Sequence, residues 1–355
     1  MVKAGEPNHQ DLQRMVREIN ATFAGKGVSF VYLPGDIADD GSREAYAAVR
    51  ECLDQLALPW CSVVGDHDVH EKAFTNYQAA MGAQLTGSFL VGKVRFLRMN
   101  AFAVPRPDAF IVDDLQLDWL EQELRQAQTA AQTSVLLVHC YPSDLKQGGE
   151  RLAKLVRKYR VRVVDMGHTH YNEVSNDGVT LYAATRSTGQ IEEGPVGYSV
   201  LTLDGDVLSW QFARLSSLPL VSITSPSDER LLADAEAGLQ AGAATDVHLR
   251  VWSASKVRSL TVEMNGQPLQ VERGAADFAW YAQIPAGMLR DGVSQLHARA
   301  EDDAGNHGED LVQLRVGPRT LVQHAAIDQD NAVGAWTDRD LLGTQLGPNK
   351  YGRKW

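Results

Sequence analysis

The chain has 355 residues, 44% hydrophobic and 22% charged, a balance ordinary for a soluble globular protein and long enough for two domains. Its formal net charge is −11, with the excess acid spread along the chain, so it gains no general attraction to duplex nucleic acid or an anionic membrane. No apolar run approaches bilayer length, and the opening MVKAGEPNHQDLQ is polar throughout, so neither a membrane span nor a signal peptide is visible. As it stands the chain reads as cytoplasmic; an exported form stays open if the start is truncated.

Three cysteines, Cys52, Cys61 and Cys140, cannot all pair within one chain and match no zinc-finger spacing. They are expected as free thiols packed in the core.

In chain order, Asn8 stands as an N-cap before a helix whose apolar face is Leu12, Met15, Val16, Ile19 and Phe23. A buried strand, Val28 to Leu33, runs into Pro-Gly-Asp. A second helix carries Tyr46, Val49, Leu53 and Leu56, and a second buried strand, Trp60 to Val64, runs into Gly65-Asp66. SFLVG and VRFLRM follow as strands. A helix marked by Leu117, Leu120 and Leu124 leads into SVLLV, which ends at His139. Another, with Leu152, Leu155, Val156 and Tyr159, leads into VRVVDM and Gly167-His168. VTLYAA, GYSVLTL and VLSWQFARL make an antiparallel finish. Strands joined by helices predict an α/β domain over residues 1–215, its mostly parallel sheet covered on both faces.

Residues 216–318 carry no convincing helix. Strand-like runs from VSITSP to DLVQLRVG alternate with Gly, Asn and Asp turns, which predicts an all-β sandwich. VSQLHARAEDDAGN resembles a late strand and turn of bacterial immunoglobulin-like domains. The tail, 319–355, has apolar anchors at Leu321, Val322, Trp336, Leu341, Leu342 and Trp355 and is expected to pack back on the body.

Four short motifs sit where strands end: Gly35-Asp36, Gly65-Asp66-His67-Asp68, His139, and Gly167-His168-Thr169-His170. In open α/β sheets ligands gather outside the carboxyl ends of strands, so Asp or His at four such ends points to a metal site. Carboxylate and imidazole donors suit a divalent transition metal, Mn, Fe, Zn or Co.

The order GD…GDHD…H…GHTH resembles the calcineurin-like metallophosphoesterases, whose usual pattern is DxH…GD…GNH[DE]…H…GHxH. GDIADDGSREAYAAV and LPWCSVVGDHD are most similar to the branch with class III cyclic-nucleotide phosphodiesterases and glycerophosphodiesterases. The likeness runs from about Asn8 to Leu215. It implies a sheet core covered by helices and hydrolysis of a small-molecule phosphoester. Two metals lie side by side in that family, and bridging water or hydroxide attacks phosphorus. It further implies that Asp36 bridges the metals, that Asp66, His139 and His168 complete one of them, and that His170 binds the other. By the same resemblance His67 contacts the phosphate or protonates the leaving oxygen, and Asp68 orients its ring. Tyr141 is a candidate for lining the substrate cleft, and Asn172 for supporting the site.

Two departures follow. The family's opening strand, which ends in Asp-x-His, has no counterpart here. His9 is the only histidine before Asp36, and Pro7 stands two residues ahead of it. The expectation is a start that is not the natural one, and an uncovered apolar slot beside the strand that leads to Asp36. Thr320 to Asp328, with His324, is a candidate to fill that slot. The second departure is Asp66 in place of Asn, an added negative charge that tightens one metal. One well-held metal and a weak or absent second are expected.

Asp113 and Asp114 are expected as helix caps. His248, His297 and His307 are expected to bind no metal, and Trp252 and Trp280 to lie in the sandwich core. The leading reading is a phosphodiesterase. A phosphomonoesterase and a catalytically impaired metal-binding recognition or adhesion protein are the alternatives, and a homo-oligomer is compatible with either.

Overall fold

A computed structural model of the chain describes residues 1–103, 109–186, 188, 195–205, 207–233, 238–317, 333 and 336–341. The proposed slot-filling segment Thr320 to Asp328 lies outside them, as do Leu342 and Trp355.

The amino-terminal region runs α1 (Pro7–Phe23), β1 (Val31–Leu33), α2 (Arg43–Leu53), β2 (Trp60–Ser62), α3 (Thr75–Met81), β3 (Gly87–Val91), β4 (Val94–Arg98), α4 (Asp114–Thr129), β5 (Thr133–Leu137), α5 (Gly149–Lys158), β6 (Val163–Met166), β7 (Glu173–Asn176), β8 (Leu181–Ala184), β9 (Gly197–Asp204) and β10 (Val207–Arg214). Helix α1 starts one residue before Asn8: Glu6 is the cap and Pro7 takes the first turn, where its missing N–H costs nothing. Helix α4 is capped as expected, with Asp113 and Gln116 forming a reciprocal capping box. Helix α3 and strand β7 were not legible in the sequence, the one for its shortness and the other for its polar Glu173-Val-Ser-Asn176.

The parallel strands divide between two layers rather than joining in one sheet. One layer is the six-stranded mixed sheet β3-β4-β5-β6-β8-β7; β1 pairs in parallel with β2, and β9 pairs antiparallel with β10. Side-chain alternation shows how they stack. Val135 and Leu137 of β5 meet Tyr32 of β1 and Leu201 and Leu203 of β9 in one apolar cluster between the layers. Leu136 of β5 and Val164 of β6 face α4 and α5 on the other side, with Leu120 and Leu155. Val31 and Val200 turn outward onto Met15 and Ile19 of α1. Strands β1 and β9 thus share a layer, with α1 covering one face and the six-stranded sheet the other.

They do not share hydrogen bonds. Among the described residues β1 pairs only with β2 and β9 only with β10. A cavity of about 670 Å³ lies between them, bordered by Val31–Leu33, by residues 198–204, and by Met15, Ile19 and Leu137. Among the described residues no strand occupies this gap, which lies beside the strand leading to Asp36, where an apolar slot was expected.

From Leu220 the chain forms β11 (Leu220–Ser225), β12 (Thr245–Trp252), β13 (Val257–Met264), β14 (Gln267–Leu269), β15 (Val271–Arg273), β16 (Ala279–Ile284), β17 (Gly292–Asp302) and β18 (His307–Val316). They make two four-stranded antiparallel sheets, β11-β12-β16-β15 and β14-β13-β17-β18, around Ile223, Leu249, Met264, Leu296 and Leu314. Trp280 belongs to that core. Trp252 does not: it packs with Phe23 of α1 at 5.6 Å between ring centroids, and its indole N–H donates to the Lys26 carbonyl at 2.9 Å. It joins the two regions. Arg339 makes a second joint, buried in an ion pair with Asp310 and donating to the Trp210 carbonyl.

Asp165 of β6 borders the cavity, on the face that carries Val163 into the layer between the sheets. Burial pushes its carboxyl up to about 7. An acid with a raised folded pKa favours the folded state at low pH, and that contribution fades as pH climbs from about 4 through about 7. Asp165→Asn should therefore be more stable than the parent at pH 8, by the order of 2–4 kcal/mol, with the gap narrowing toward pH 4. Urea unfolding at both pH values checks this; a pH-independent gap would contradict it.

Candidate metal centre

Two turns from one layer and two from the other converge. Asp36 follows β1, Asp66 follows β2, His139 follows β5 and His168 follows β6. One donor atom from each of the four lies within 4.8 Å of the other three. His139 Nε2 is 3.1 Å from Asp66 Oδ1 and 3.5 Å from Asp36 Oδ1, and His168 Nδ1 is 3.2 Å from Asp66 Oδ1. Four donors placed tetrahedrally at about 2.1 Å from a Zn-like cation stand about 3.4 Å apart. These three spacings bracket that value.

The protons argue the same way. The His139 Nδ1–H donates to the Pro34 carbonyl at 2.6 Å, which fixes the ring and leaves Nε2 as its ligand atom. In the neutral tautomer that Nε2 lone pair faces two carboxylates. Such an arrangement needs either a proton or a cation between the groups. Burial works against charging His139, but Asp36 and Asp66 outweigh it and hold its pKa well above the usual value. Burial would raise both acids; His139 beside Asp36, and His139 and His168 beside Asp66, hold them below the carboxylate range instead. The residues therefore fit a divalent cation, which would replace the shared proton.

The backbone is strained in the turn at Asp36 and in the turn that bears His168 and His170. Asp36, His168 and His170 have φ of 51°, 67° and 66°, the left-handed region that residues with a Cβ avoid. Two glycines make the close approach feasible. A Cβ at Gly35 would run into His139 Nδ1, and one at Gly65 into the Asp36 carboxylate.

Asp68 corrects the expectation attached to it. Its carboxylate does not touch His67; it accepts from the N–H groups of Ile37 (3.0 Å), Ala38 (3.1 Å) and Gly65 (2.9 Å) and from the Tyr46 hydroxyl (2.8 Å). It staples the Asp36 turn to the Asp66 turn. Burial and the charge of Asp36 push its carboxyl up to about 6. The His67 ring is held instead by the Asp39 carbonyl, to which Nδ1–H donates at 2.9 Å, while its backbone N–H donates to Asp36 Oδ1 at 3.0 Å.

His170 is buried and stands outside the four-donor cluster. Tyr141 also departs from expectation: it is 5% exposed, so it packs in the core instead of lining an open cleft. Burial, then Glu173 and Asp144, drive its phenol well above the usual pKa. Asn172 is fully buried and accepts from the Arg186 backbone N–H at 2.9 Å, a support for the last turn. His9 lies on α1 near Gly5, and His297 pairs with Glu309 on the sandwich. None of the three cysteines is in a disulfide; burial pushes Cys52 up to about 11 and Cys61 up to about 12. Among the described residues no helix is long and apolar enough to cross a membrane.

Gly65→Ala should weaken divalent-metal binding by tenfold or more, as expected when a ligand's support is displaced, while the circular dichroism stays native. Chelator competition measures it; unchanged affinity would mean the turn yields at no cost.

Residues 5–172 match the calcineurin-like phosphoesterase family. A probable cyclic nucleotide phosphodiesterase of Synechococcus sp. is 27% identical over 194 residues, covering 50% of this chain and 73% of that protein. The 3′,5′-cyclic adenosine monophosphate phosphodiesterase CpdA of Escherichia coli is 26% identical over 149 residues, 38% of this chain and 52% of its own length. A dimetal phosphatase from Danio rerio superposes with a TM-score of 0.44 at 12% identity, covering 70% of this chain and 86% of its own. The four gathered donors fall inside the matched span, and residues 5–172 form a calcineurin-like phosphoesterase domain.

Proposed function

We propose that this protein is a metal-dependent phosphodiesterase acting on a small substrate of the cyclic-nucleotide type, the class named for its relatives. The observation that carries the reading is the cluster of Asp36, Asp66, His139 and His168, spaced as ligands are. A divalent cation bound there polarises phosphoryl oxygens and lowers the pKa of water. It also supplies the local positive charge that a chain of net charge −11 otherwise lacks for an anionic substrate.

The chain's own residues supply the rest. Asp36, Asp66, His139 and His168 would hold the cation. The Asp39 carbonyl fixes the His67 tautomer, so that Nε2 is the atom facing away from the backbone to exchange a proton. In its imidazolium form His67 carries a second proton on Nε2; it gives that proton to the leaving oxygen as the oxygen of water bonds to phosphorus and the old P–O bond breaks, and the proton released by that water restores it.

With bis(p-nitrophenyl) phosphate and Mn²⁺, the parent should turn over and His139→Ala should not. His67→Ala should retain metal and lose about 10²–10⁴ in kcat. A correctly folded parent that is inactive with Mn²⁺, Zn²⁺, Fe²⁺ and Co²⁺ would sink the enzyme reading.

The cluster offers four donors for one cation, and His170 is not among them. One tight metal equivalent per chain is therefore expected from elemental analysis after exhaustive dialysis. Two tight equivalents would contradict it.

A further inference from the structure

We propose that Phe110 is a positioning residue of the metal centre, holding the His168 imidazole in its ligating orientation. This rests on the metal-site reading above and extends it to a residue outside the ligand motifs. The two histidines are not secured alike. His139 is locked by the hydrogen bond from Nδ1–H to Pro34. Among the described residues His168 has one polar side-chain contact, to Asp66, and it is made by Nδ1. Among those residues no hydrogen bond to its other nitrogen fixes the ring, the usual device for a metal-bound histidine.

An aromatic ring stands where that restraint is missing. The Phe110 centroid is 4.8 Å from His168, with the rings at 81°, and 5.9 Å from His139 at 49°. Both distances lie in the range preferred by aromatic pairs, and the near-perpendicular contact blocks rotation of the imidazole about its own axis. The two histidine rings are 5.3 Å apart, so the three rings form one packed set. Phe110 is itself held firmly. Its carbonyl accepts from Lys146 N–H at 2.9 Å, Ile111 N–H donates to Ala101 at 2.8 Å, and Val112 N–H donates to Gln147 at 3.1 Å. On its far side it packs against Phe102 at 5.1 Å. It is 6% exposed, so water has little access to that side of the imidazoles.

A ring whose backbone is held at its own carbonyl and at the two residues that follow, and which is pressed on a strained residue, is a restraint and not a contact of convenience: His168 has φ of 67°, and such geometry persists only where its surroundings hold it. Without the Phe110 ring, His168 Nδ1 swings off the direction of the other three donors and the site loses one ligand's worth of alignment.

Metal-free parent, Phe110→Leu and Phe102→Leu should be titrated with Co²⁺, following the visible d–d absorption and the affinity by chelator competition. Leucine keeps an apolar side chain in each place, and the melting temperature of the metal-free form reports loss of packing separately. Phe110→Leu should bind Co²⁺ about tenfold more weakly, with an altered d–d band. Phe102→Leu, which touches no ligand, should keep the parent affinity and spectrum. The proposal is overturned if Phe110→Leu matches the parent in both readouts, or if Phe102→Leu weakens binding equally, since general loosening would then suffice. A parent that binds no Co²⁺ overturns the metal-site reading beneath it, and is distinguished by the parent titration alone.

Discussion

Two carboxylates pressed against one fully buried imidazole set the terms for the whole amino-terminal domain. Asp36 and Asp66 repel each other, and the shared neighbour His139 is what makes their proximity tolerable in the absence of a cation. Everything nearby resists their separation. Asp68 gathers three N–H donors from the two turns and the Tyr46 hydroxyl from α2, Pro34 locks His139, and two glycines let the backbones meet. The strain is local, and the strands behind it are ordinary: β5 and β6 pair in parallel from Val135↔Val163 to Leu137↔Asp165, delivering both histidines two residues beyond their last strand residue.

Much of this was legible in the sequence because it is written in short-range patterns. The ligand motifs stand directly after apolar runs, and the helices that matter declare themselves by spacing: Leu117, Leu120 and Leu124 on α4, and Leu152, Leu155 and Val156 on α5, are all buried. What was not legible depends on distant partners. Nothing in GDHD says that Asp68 serves Ile37, Ala38 and Tyr46 in place of the adjacent His67. Nor does DAFIV mark Phe110 as a neighbour of His168; an aromatic in a loop carries no period and no motif. Layering was lost for a similar reason. A strand buried on both faces reads the same whether a helix or another sheet covers it, so β1 and β2 could not be told apart from members of the β5–β6 sheet.

The β-sheets after Leu220 are bound to the domain through specific groups as well as apolar contact. Lys26 is the pivot: its carbonyl accepts from the Trp252 indole while its ammonium donates to the Ser253 carbonyl at 2.7 Å. At the other end Arg214 binds Asp340 through two nitrogens, and the guanidinium of Arg230 lies 3.4 Å from the centroid of Trp336. A buried ion pair such as Arg339 with Asp310 contributes little net stability over an apolar pair, but breaking one partner is costly. It specifies orientation more than it adds strength.

The gap between β1 and β9 has a consequence for how this chain survives in concentrated solution. An unpaired strand edge is a template on which another molecule can grow, and among the described residues β1 and β9 each turn one toward this gap. Both border an inward-facing cavity, and the side chains of their shared layer are covered by α1 on one face and the six-stranded sheet on the other. Helix α1 therefore acts as a guard against aggregation. Resistance to self-association should follow how tightly Met15, Ile19 and Phe23 hold that helix down, even where the metal centre is untouched.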